Sequence, residues 1–402
     1  AAQVVGFRFG KLQMPHQVGG HAAVDQIKNA FVGMVQRIIQ VKQPDSCFRL
    51  FIHIVLGGII TAIIAKGRLW YETDFTCGGN SRPFAVQAQT EVRLAVHKSF
   101  SLPKDAFAAF ERANDAKVSV IKAGSGNELV NKLVLSRAQP IADAVYGLDN
   151  TTVLKAKEGG ILAAAQPPSA AVTAALPHAA AVDTGYIAVN YDKAWFAKNK
   201  LPLPQSLEDL AKPQYKDLLA MPNPGLSSTG LGFLLANIQG MGEKQAFDWW
   251  AKMRANGVKV TKDWSEAYYT EFSRNGGSRP LVVGYASSPA AEVHYGKGKF
   301  DTPPTGVLFL KGGVFRQVEG AAVLNGAKQP ALAAKLVQYL QSAPVQKAVP
   351  TEMWVYPAVK NTPLPDVFKH ARAPQHSDNP SEAAIAKNQR RWVSQWIRVV
   401  LK

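Results

Sequence analysis

Glycine and hydroxyl residues precede an apolar segment in the stretch "PNPGLSSTGLGF" (222–233). If a helix begins there, its free N–H groups and its dipole would favour an anion beside Ser227 and Ser228. Either serine could instead cap the helix, because serine is a preferred N-cap residue. Capping needs one such residue rather than Ser-Ser-Thr, and the residues alone leave both interpretations open.

A second group with binding potential is "AGSGNE" (123–128), which contains a Gly-Ser-Gly turn. The backbone amides around Ser125 and Gly126 could face a ligand, or the segment could simply reverse the chain. From the residues alone we favour the simple turn.

Aromatic residues cluster in "TKDWSEAYYTEF" (261–272), where Trp264 precedes two adjacent tyrosines. Aromatic faces stack on flat ligands and attract cations. Without further information, Trp264 and the distant Trp354 are better explained as core residues. Tyr268 and Tyr269 are neighbours on one predicted helix, so we expect at most one of them to face a ligand.

Catalytic and nucleic-acid functions are disfavoured by composition. The two cysteines are Cys47 and Cys77, so no thiol nucleophile or cysteine-ligated metal site can form from Thr90 onward. No Ser-His-Asp arrangement or carboxylate pair is marked by its spacing, and we predict no catalytic residue, metal or cofactor. Lys and Arg number 46 against 29 Asp and Glu, a net charge of +17, but the basic residues are scattered. We therefore predict a basic surface and no nucleic-acid partner.

Strand and helix patterns alternate from Glu91 onward, beginning with the strand-like runs "VRLAV", "KVSVI" and "ADAVYGL". This alternation favours a parallel sheet covered by helices. Ligands bind beyond the carboxyl ends of such strands. We therefore expect ligand contacts from residues that follow strands or open helices, namely His97, Ser125, Gly126, Asp149, Ser227, Ser228, Trp264 and Tyr285.

The first ninety residues differ from the rest. Their apolar run "LFIHIVLGGIITAIIA" (50–65) is short for a membrane span, and a sequence resembling a cleavage site, "AVQAQ" (85–89), follows some distance later. We hypothesise that residues 1 to about 83 are translated upstream of, or out of frame with, the true start, and that "FAVQA" is the remnant of an export signal. Translating the nucleotide sequence in all three frames tests this.

A chain of 402 residues with 47% hydrophobic content suits two lobes better than one small core. We expect a binding domain over 91–402, with a first lobe at about 91–180 and 290–350 and a second at about 185–285. The segment 351–402 should pack on the second lobe. The pairs Trp249 with Trp250 and Trp392 with Trp396 have helical surroundings that predict core positions.

Six motifs then carry a family resemblance: "ADAVYGLDN", "SSTGLGFLLA", "VTKDWSEAYYTEF", "VVGYASSPA", "PTEMWVYPAV" and "QRRWVSQWIRVVL". The chain from about Glu91 to its end resembles the thiamine-binding substrate-binding proteins of bacterial ABC importers. The resemblance implies an α/β fold of the two-lobe, type II periplasmic-binding-protein kind, with mixed sheets flanked by helices and a ligand cleft between the lobes. It also implies a periplasmic monomer that closes on thiamine or a thiamine phosphate and delivers it to an inner-membrane permease.

Carried over by motif, the resemblance assigns four positions. Ser227 matches the phosphate-side serine, Trp264 a tryptophan of the cleft, Tyr285 the tyrosine after the following strand, and Trp354 the stacking tryptophan of the P-T-x-x-W motif. Trp354 therefore joins the predicted ligand contacts.

Several family positions differ in this chain. His97 replaces a tyrosine, Ser125 replaces an aspartate, Ala291 replaces a second ring in the S-P-A-Y motif, and "SFSLPKDAF" lacks a tryptophan. Losing an acid and gaining His97 and Lys98 should make the first-lobe wall more suited to a phosphate than to a bare cation.

The alternatives are a binding protein for another phosphorylated metabolite or for ferric ion, or an enzyme of the same fold. A ferric site would need a pair of tyrosines after the last strand of the cleft, where Tyr285 is followed by Ala286. The thiaminases that share the fold use a cysteine nucleophile, and the chain from Thr90 onward contains no cysteine.

Overall fold

A computed structural model describes residues 51–55, 59–65, 68–73 and 89–402 of a chain that divides into two units, 1–88 and 89–402. In the first unit, β1 (Phe51–Val55), β2 (Ile59–Ala65) and β3 (Arg68–Thr73) form an antiparallel sheet in that order. The apolar run at 50–65 thus contains two strands. The hypothesised export-signal remnant at 84–88 lies outside the described residues.

The second unit contains ten strands and twelve α-helices in its described residues. The strands are β4 (Thr90–Val96), β5 (Ala116–Lys122), β6 (Ala144–Asp149), β7 (Ala180–Asp192), β8 (Leu219–Pro222), β9 (Lys259–Thr261), β10 (Leu281–Tyr285), β11 (Thr305–Leu308), β12 (Phe315–Val323) and β13 (Tyr356–Pro357). The helices are α1 (Ala108–Asn114), α2 (Gly126–Leu135), α3 (Val153–Glu158), α4 (Lys193–Asn199), α5 (Leu207–Leu210), α6 (Ser228–Met241), α7 (Glu243–Ala255), α8 (Trp264–Glu266), α9 (Ser288–Tyr295), α10 (Pro330–Leu340), α11 (Ala343–Glu352) and α12 (Glu382–Val400). A π-helix, Ala267–Glu271, continues from α8.

The strands of this unit form one mixed sheet in the order β5-β4-β6-β12-β7-β10-β8-β9, with β11 and β13 also paired to β7. The parallel group β5-β4-β6 belongs to one lobe and the parallel group β10-β8-β9 to the other. The long antiparallel strands β7 and β12 run through both lobes. The predicted α/β class with mixed strands flanked by helices is confirmed, and the lobes share a continuous sheet because β7 and β12 serve both.

Each lobe buries its own apolar core. In the first lobe, Leu94 and Tyr146 from the sheet pack with Leu336 of α10. In the second, the predicted core positions of the tryptophan pairs are confirmed, since all four are buried and Trp250 lies 5.6 Å from Trp396, ring centre to ring centre. Helix α12 packs on α7 through these residues. Burial of four indole rings is worth several kcal/mol, which explains why α12 docks firmly on this lobe.

Within the described residues, no helix combines the length and the apolar character that crossing a bilayer requires.

Candidate functional site

A cavity of about 380 Å³ lies where the two lobes meet. Eight of the nine residues predicted as ligand contacts line it: His97, Ser125, Gly126, Ser227, Ser228, Trp264, Tyr285 and Trp354. The sequence reasoning therefore placed these side chains around one space, and their role toward a ligand remains a prediction.

Asp149 is not brought to the cavity. It is fully buried at the end of β6, where Oδ1 accepts hydrogen bonds from Thr151 and Thr152. Its Oδ2 accepts a 2.7 Å bond from Nε2 of Gln317, a cavity residue on β12. The hydroxyl groups of Thr151 and Thr152 hold the Asp149 carboxylate against its own loop. Asp149 therefore contacts the cavity residue Gln317 but does not itself line the cavity.

One wall of the cavity is the N-terminus of α6. Ser227, Ser228 and Thr229 are all buried, and the Ser227 side chain makes no capping hydrogen bond. The Ser228 Oγ atom has no hydrogen-bond partner. The capping interpretation is therefore wrong for this structure, and the end of the helix keeps free N–H groups that favour an anion.

The N-terminus of α2 faces α6 from the other lobe. The Ser125 N–H donates to Glu128 Oε2 at 3.1 Å, so this turn starts a helix. Ser125 Oγ also donates to the carbonyl of Leu226 at 3.3 Å, across the cleft. A Cβ atom on Gly126 would overlap with Ser228 Oγ. Only glycine allows the two helix ends to approach this closely.

Aromatic rings form a second wall. Trp264 stacks on Tyr268 with ring centres 5.2 Å apart and planes 24° apart, and Tyr285 meets the indole edge-on at 6.0 Å. Both Tyr268 and Tyr269 line the cavity. The expectation that at most one tyrosine would face a ligand is wrong, because the segment is a π-helix whose wider turn changes the angle between neighbouring side chains.

Trp354 also lines the cavity and has an unusual backbone conformation. Its φ of 55° is in the left-handed region that a bulky residue rarely adopts. The indole is parallel to the ring of Phe368, with ring centres 6.2 Å apart. The backbone carbonyl of Trp354 accepts a hydrogen bond from the Ser287 hydroxyl, and the indole Nε1 donates to the Tyr295 hydroxyl at 3.0 Å. The indole thus packs on the buried cluster around Phe368 with one part and lines the cavity with another.

Tyr295 is a cavity residue that the sequence reasoning missed. It lies four residues after Ala291 on α9, and both residues line the cavity. Residues at i and i+4 share a helix face, which is the signal that could have identified it. The ring that the resemblance led us to expect at Ala291 is thus supplied one turn later.

The floor of the cavity is a hydrogen-bonded polar network. The Tyr285 hydroxyl donates to Oε1 of Gln317 at 2.7 Å and lies 3.3 Å from the Thr229 hydroxyl. Gln317 Nε2 also donates to Glu319 Oε1 at 3.2 Å. Glu319 lies beside His97, whose Nε2 is 3.6 Å from Oε2 of the glutamate. Neither Gln317 nor Glu319 was predicted from the sequence.

The electrostatics of the first-lobe wall differ from the expectation that it favours phosphate. Burial lowers the pKa of His97 to about 4, so its imidazole is neutral near pH 7. Lys98 donates to Asp263 Oδ2 at 2.5 Å. Burial acts to raise the pKa of Asp263, but this bond and backbone N–H groups outweigh it and the pKa is lowered. Neither His97 nor Lys98 is therefore a free positive charge.

The charged side chains that line the cavity are mostly acidic among the described residues. They comprise Asp263, Glu292, Glu319, Glu352 and Lys98. Within the same part of the chain, no set of three or more His, Cys, Asp or Glu side chains is arranged to hold a metal ion. Acidic groups and aromatic faces in one cavity favour a flat cation, and the uncapped N-terminus of α6 favours an anionic group.

Comparison with known proteins agrees with this geometry. Residues 139–388 match the model of the family described as bacterial extracellular solute-binding protein. The thiamine-binding periplasmic protein of Escherichia coli (strain K12) is 33% identical over 307 residues, 73% of this chain and 86% of that protein. The protein of the same name from Salmonella typhimurium is 32% identical over 306 residues, 73% of this chain and 86% of that protein.

A solved structure described as a periplasmic thiamin binding protein is also similar. It superposes with a TM-score of 0.67 at 30% identity and covers 80% of this chain and 98% of that chain.

Proposed function

The chain belongs to the family of bacterial extracellular solute-binding proteins, and from this premise we propose that it captures thiamine or a thiamine phosphate in the cavity between its lobes. The single observation that carries the proposal is the pair of indole walls, Trp264 and Trp354, around an acidic floor in a chain whose relatives are named for thiamine. The captured molecule is then delivered to the permease of an ABC importer.

The aromatic walls suit the two rings of thiamine. A thiazolium is a cation and an aminopyrimidine is flat, so each gains from an aromatic face. Cation–π attraction contributes roughly 0.5–2 kcal/mol per contact when the site is partly desolvated. The indoles are half-buried before any ligand arrives, so little conformational entropy is lost in positioning them.

The phosphate of a thiamine phosphate would lie at the α6 end of the cavity. Ser228 Oγ is buried there without a partner, and the first N–H groups of α6 are uncapped. A phosphate would accept hydrogen bonds from these groups and gain from the helix dipole. This arrangement supports a phosphate at the N-terminus of α6, with the cationic ring that carries it close by.

The remaining features of the function follow the family. The protein acts in the periplasm as a binding protein without catalysis, and it works as a monomer whose lobes close on the ligand. Contacts that join the lobes, such as the bond from Lys98 to Asp263, support closure by hinge motion.

Calorimetric titration of the full chain tests the proposal. Thiamine, thiamine monophosphate and thiamine diphosphate are titrated separately, with fructose 6-phosphate and ferric citrate as representatives of the alternative ligand classes. We expect submicromolar binding of at least one thiamine compound. Fructose 6-phosphate and ferric citrate should give no heat of binding. Tight binding of fructose 6-phosphate or a coloured ferric complex, with no thiamine compound bound, would overturn the proposal.

A further inference from the structure

Three carboxylates lie side by side on neighbouring strands beneath the cavity. In the register of the sheet, Glu319 on β12 is opposite Asp149 on β6 and opposite Asp183 on β7. Residues directly opposite on adjacent strands project to the same face, and like charges there repel. Asp149 and Asp183 are fully buried, whereas the Glu319 side chain is 14% exposed and reaches the cavity. We call these three residues the acid row.

No basic side chain neutralises the acid row within residues 89–402. The titratable groups that face Glu319 are Asp149 and Tyr146 from β6, Asp183 from β7, His97 from the end of β4 and Tyr285 from β10. Tyr146 donates its hydroxyl proton to a hydrogen bond with Asp183. His97 is the one residue of this group that could carry a positive charge, and burial opposes that.

The surroundings of Glu319 also contain unused hydrogen-bonding capacity. His97 Nε2 and Asp183 Oδ1 are both buried without a hydrogen-bond partner. Asp183 is 1% exposed, so bulk water does not satisfy this oxygen. Buried polar atoms without partners are costly, which indicates that a proton or a ligand group completes the arrangement.

Three carboxylates so close in a site of low polarity do not all ionise. Burial and the neighbouring carboxylates raise the pKa of Glu319 well above its ordinary range. Burial also raises the pKa of Asp183 to about 7, and the charge of Asp149 adds to this effect. At neutral pH the empty acid row therefore holds at least one proton.

We propose that the acid row is the counter-ion of the ligand's cation and is switched on by binding: a proton held there in the empty cavity leaves for solvent when a cationic ring lies against Glu319. This inference rests on the proposed function, since it requires a cationic ligand. The step breaks a carboxylic O–H bond, transfers the proton to a buffer base and leaves a carboxylate paired with the bound cation.

The row would also replace an acid that the resemblance led us to expect at Ser125. That position is the N-cap of α2 and lines the cavity. Moving the negative charge from a helix end to β12 leaves the uncapped N-terminus of α6 for an anionic group. The cation and the phosphate of one ligand would then contact neighbouring groups, since Tyr285 and Gln317 connect Thr229 of α6 to Glu319.

Proton release on binding is measurable without identifying the titrating residue beforehand. Thiamine is titrated into the full-length protein at pH 6.5 in several buffers of different ionisation enthalpy. The slope of observed enthalpy against buffer enthalpy gives the number of protons exchanged. For the wild type we expect close to one proton released per thiamine, and binding that tightens about tenfold for each pH unit while the row is protonated.

Two variants identify the source of the proton. E319Q should release no proton and lose the pH dependence. The matched control, E158Q, changes an exposed glutamate of α3 outside the cavity and should release the same number as the wild type. Circular dichroism shows whether E319Q is folded, and if it is not, the wild-type measurement alone still decides.

The outcomes separate this inference from the proposed function. Thiamine binding without proton release in the wild type overturns the inference and leaves the proposed function standing. Release that persists in folded E319Q also overturns it, because the bound cation then does not act through the Glu319 carboxylate. If the wild type binds no thiamine compound, the proposed function fails and the inference fails with it.

Discussion

Lys98 Nζ lies 2.5 Å from Asp263 Oδ2, and this contact joins the end of β4 in one lobe to the residue before Trp264 in the other. The second oxygen, Asp263 Oδ1, accepts the backbone N–H of Glu266 and so caps α8. One aspartate therefore connects closure of the lobes to the position of the indole that forms the ligand wall.

Replacing Lys98 by methionine should weaken ligand binding modestly. The lysine side chain is 41% exposed, so its ion pair contributes no more than about 1 kcal/mol and the loss in affinity should be about two- to fivefold. Small-angle scattering should show a larger radius of gyration for the unliganded variant. The control is Lys132→Met on the exposed face of α2, and equal behaviour of the two variants would show that the ion pair does not hold the lobes together.

Replacing Trp354 by alanine should reduce affinity for thiamine by about 2 kcal/mol, or roughly thirtyfold, because a stacking and cation–π face is removed. Trp354→Phe should recover part of the loss. The matched control is Trp195→Ala, which removes a half-buried indole that packs outside the cavity and should lower stability rather than affinity. If Trp354→Ala binds as tightly as the wild type, Trp354 is not a ligand wall.

Tyr295 should contribute through its ring more than through its hydroxyl. Tyr295→Ala removes the ring beside Trp354 and should lower affinity by about 1 kcal/mol, whereas Tyr295→Phe loses only the bond from Trp354 Nε1 and should lose less. Titrations of both variants with the same thiamine compound measure the difference. Equal losses would assign the effect to the hydrogen bond instead.

Gly126→Ala should prevent full closure without unfolding the protein. The new methyl group would overlap with Ser228 Oγ only when the lobes are together, so the cost falls on the closed state. We expect an affinity loss of at least tenfold with a nearly unchanged melting temperature. Adding Ser228→Gly to Gly126→Ala relieves the overlap and should restore closure, as judged by small-angle scattering with and without ligand. If Gly126→Ala alone closes normally, α2 and α6 do not approach as tightly as the structure indicates.

The acid row should make stability depend on pH through Asp183. Its pKa is raised from 3.8 when unfolded to about 7 in the folded protein, so the native state binds more protons between these values. The stabilisation is complete below about pH 4 and is lost as pH rises through about 7. Relative to Asp183→Asn, the wild type should lose on the order of 3–4 kcal/mol of unfolding free energy between pH 4 and pH 7.5. Urea denaturation of both proteins measures this. A constant difference across that range would mean that Asp183 titrates normally.

The first-lobe elements were predictable because local pattern and burial agree there. The runs "VRLAV" and "KVSVI" are rich in β-branched residues, "ADAVYGL" contains valine and tyrosine, and the three runs occur in the structure as β4, β5 and β6. Since these strands are parallel, their carboxyl ends meet at one edge, and the prediction of His97 at the cavity followed from that rule alone.

The first half of β12 was not predictable by the same means. β12 begins at Phe315, and its first half includes the polar sequence "RQVEG". Polar residues on both faces break the alternation that marks a half-buried strand. Gln317 and Glu319 lie in that part, so missing it concealed the floor of the cavity.

The contacts across the cleft depend on geometry that no local pattern contains. Ser125 was expected to form a simple turn, and only the angle between the lobes brings its hydroxyl to the carbonyl of Leu226. The prediction that Asp149 contacts the ligand failed for a local reason. Asp149 lies at the carboxyl end of β6 as predicted, but the hydroxyl groups of Thr151 and Thr152 turn its carboxylate away from the cavity.

A crystal structure of the full chain grown with thiamine monophosphate tests the central claim most directly. The account predicts density for the ligand between Trp264 and Trp354, with the thiazolium directed toward Glu319 and the phosphate at the first turn of α6. Density elsewhere, or a phosphate placed against the acid row, would contradict it.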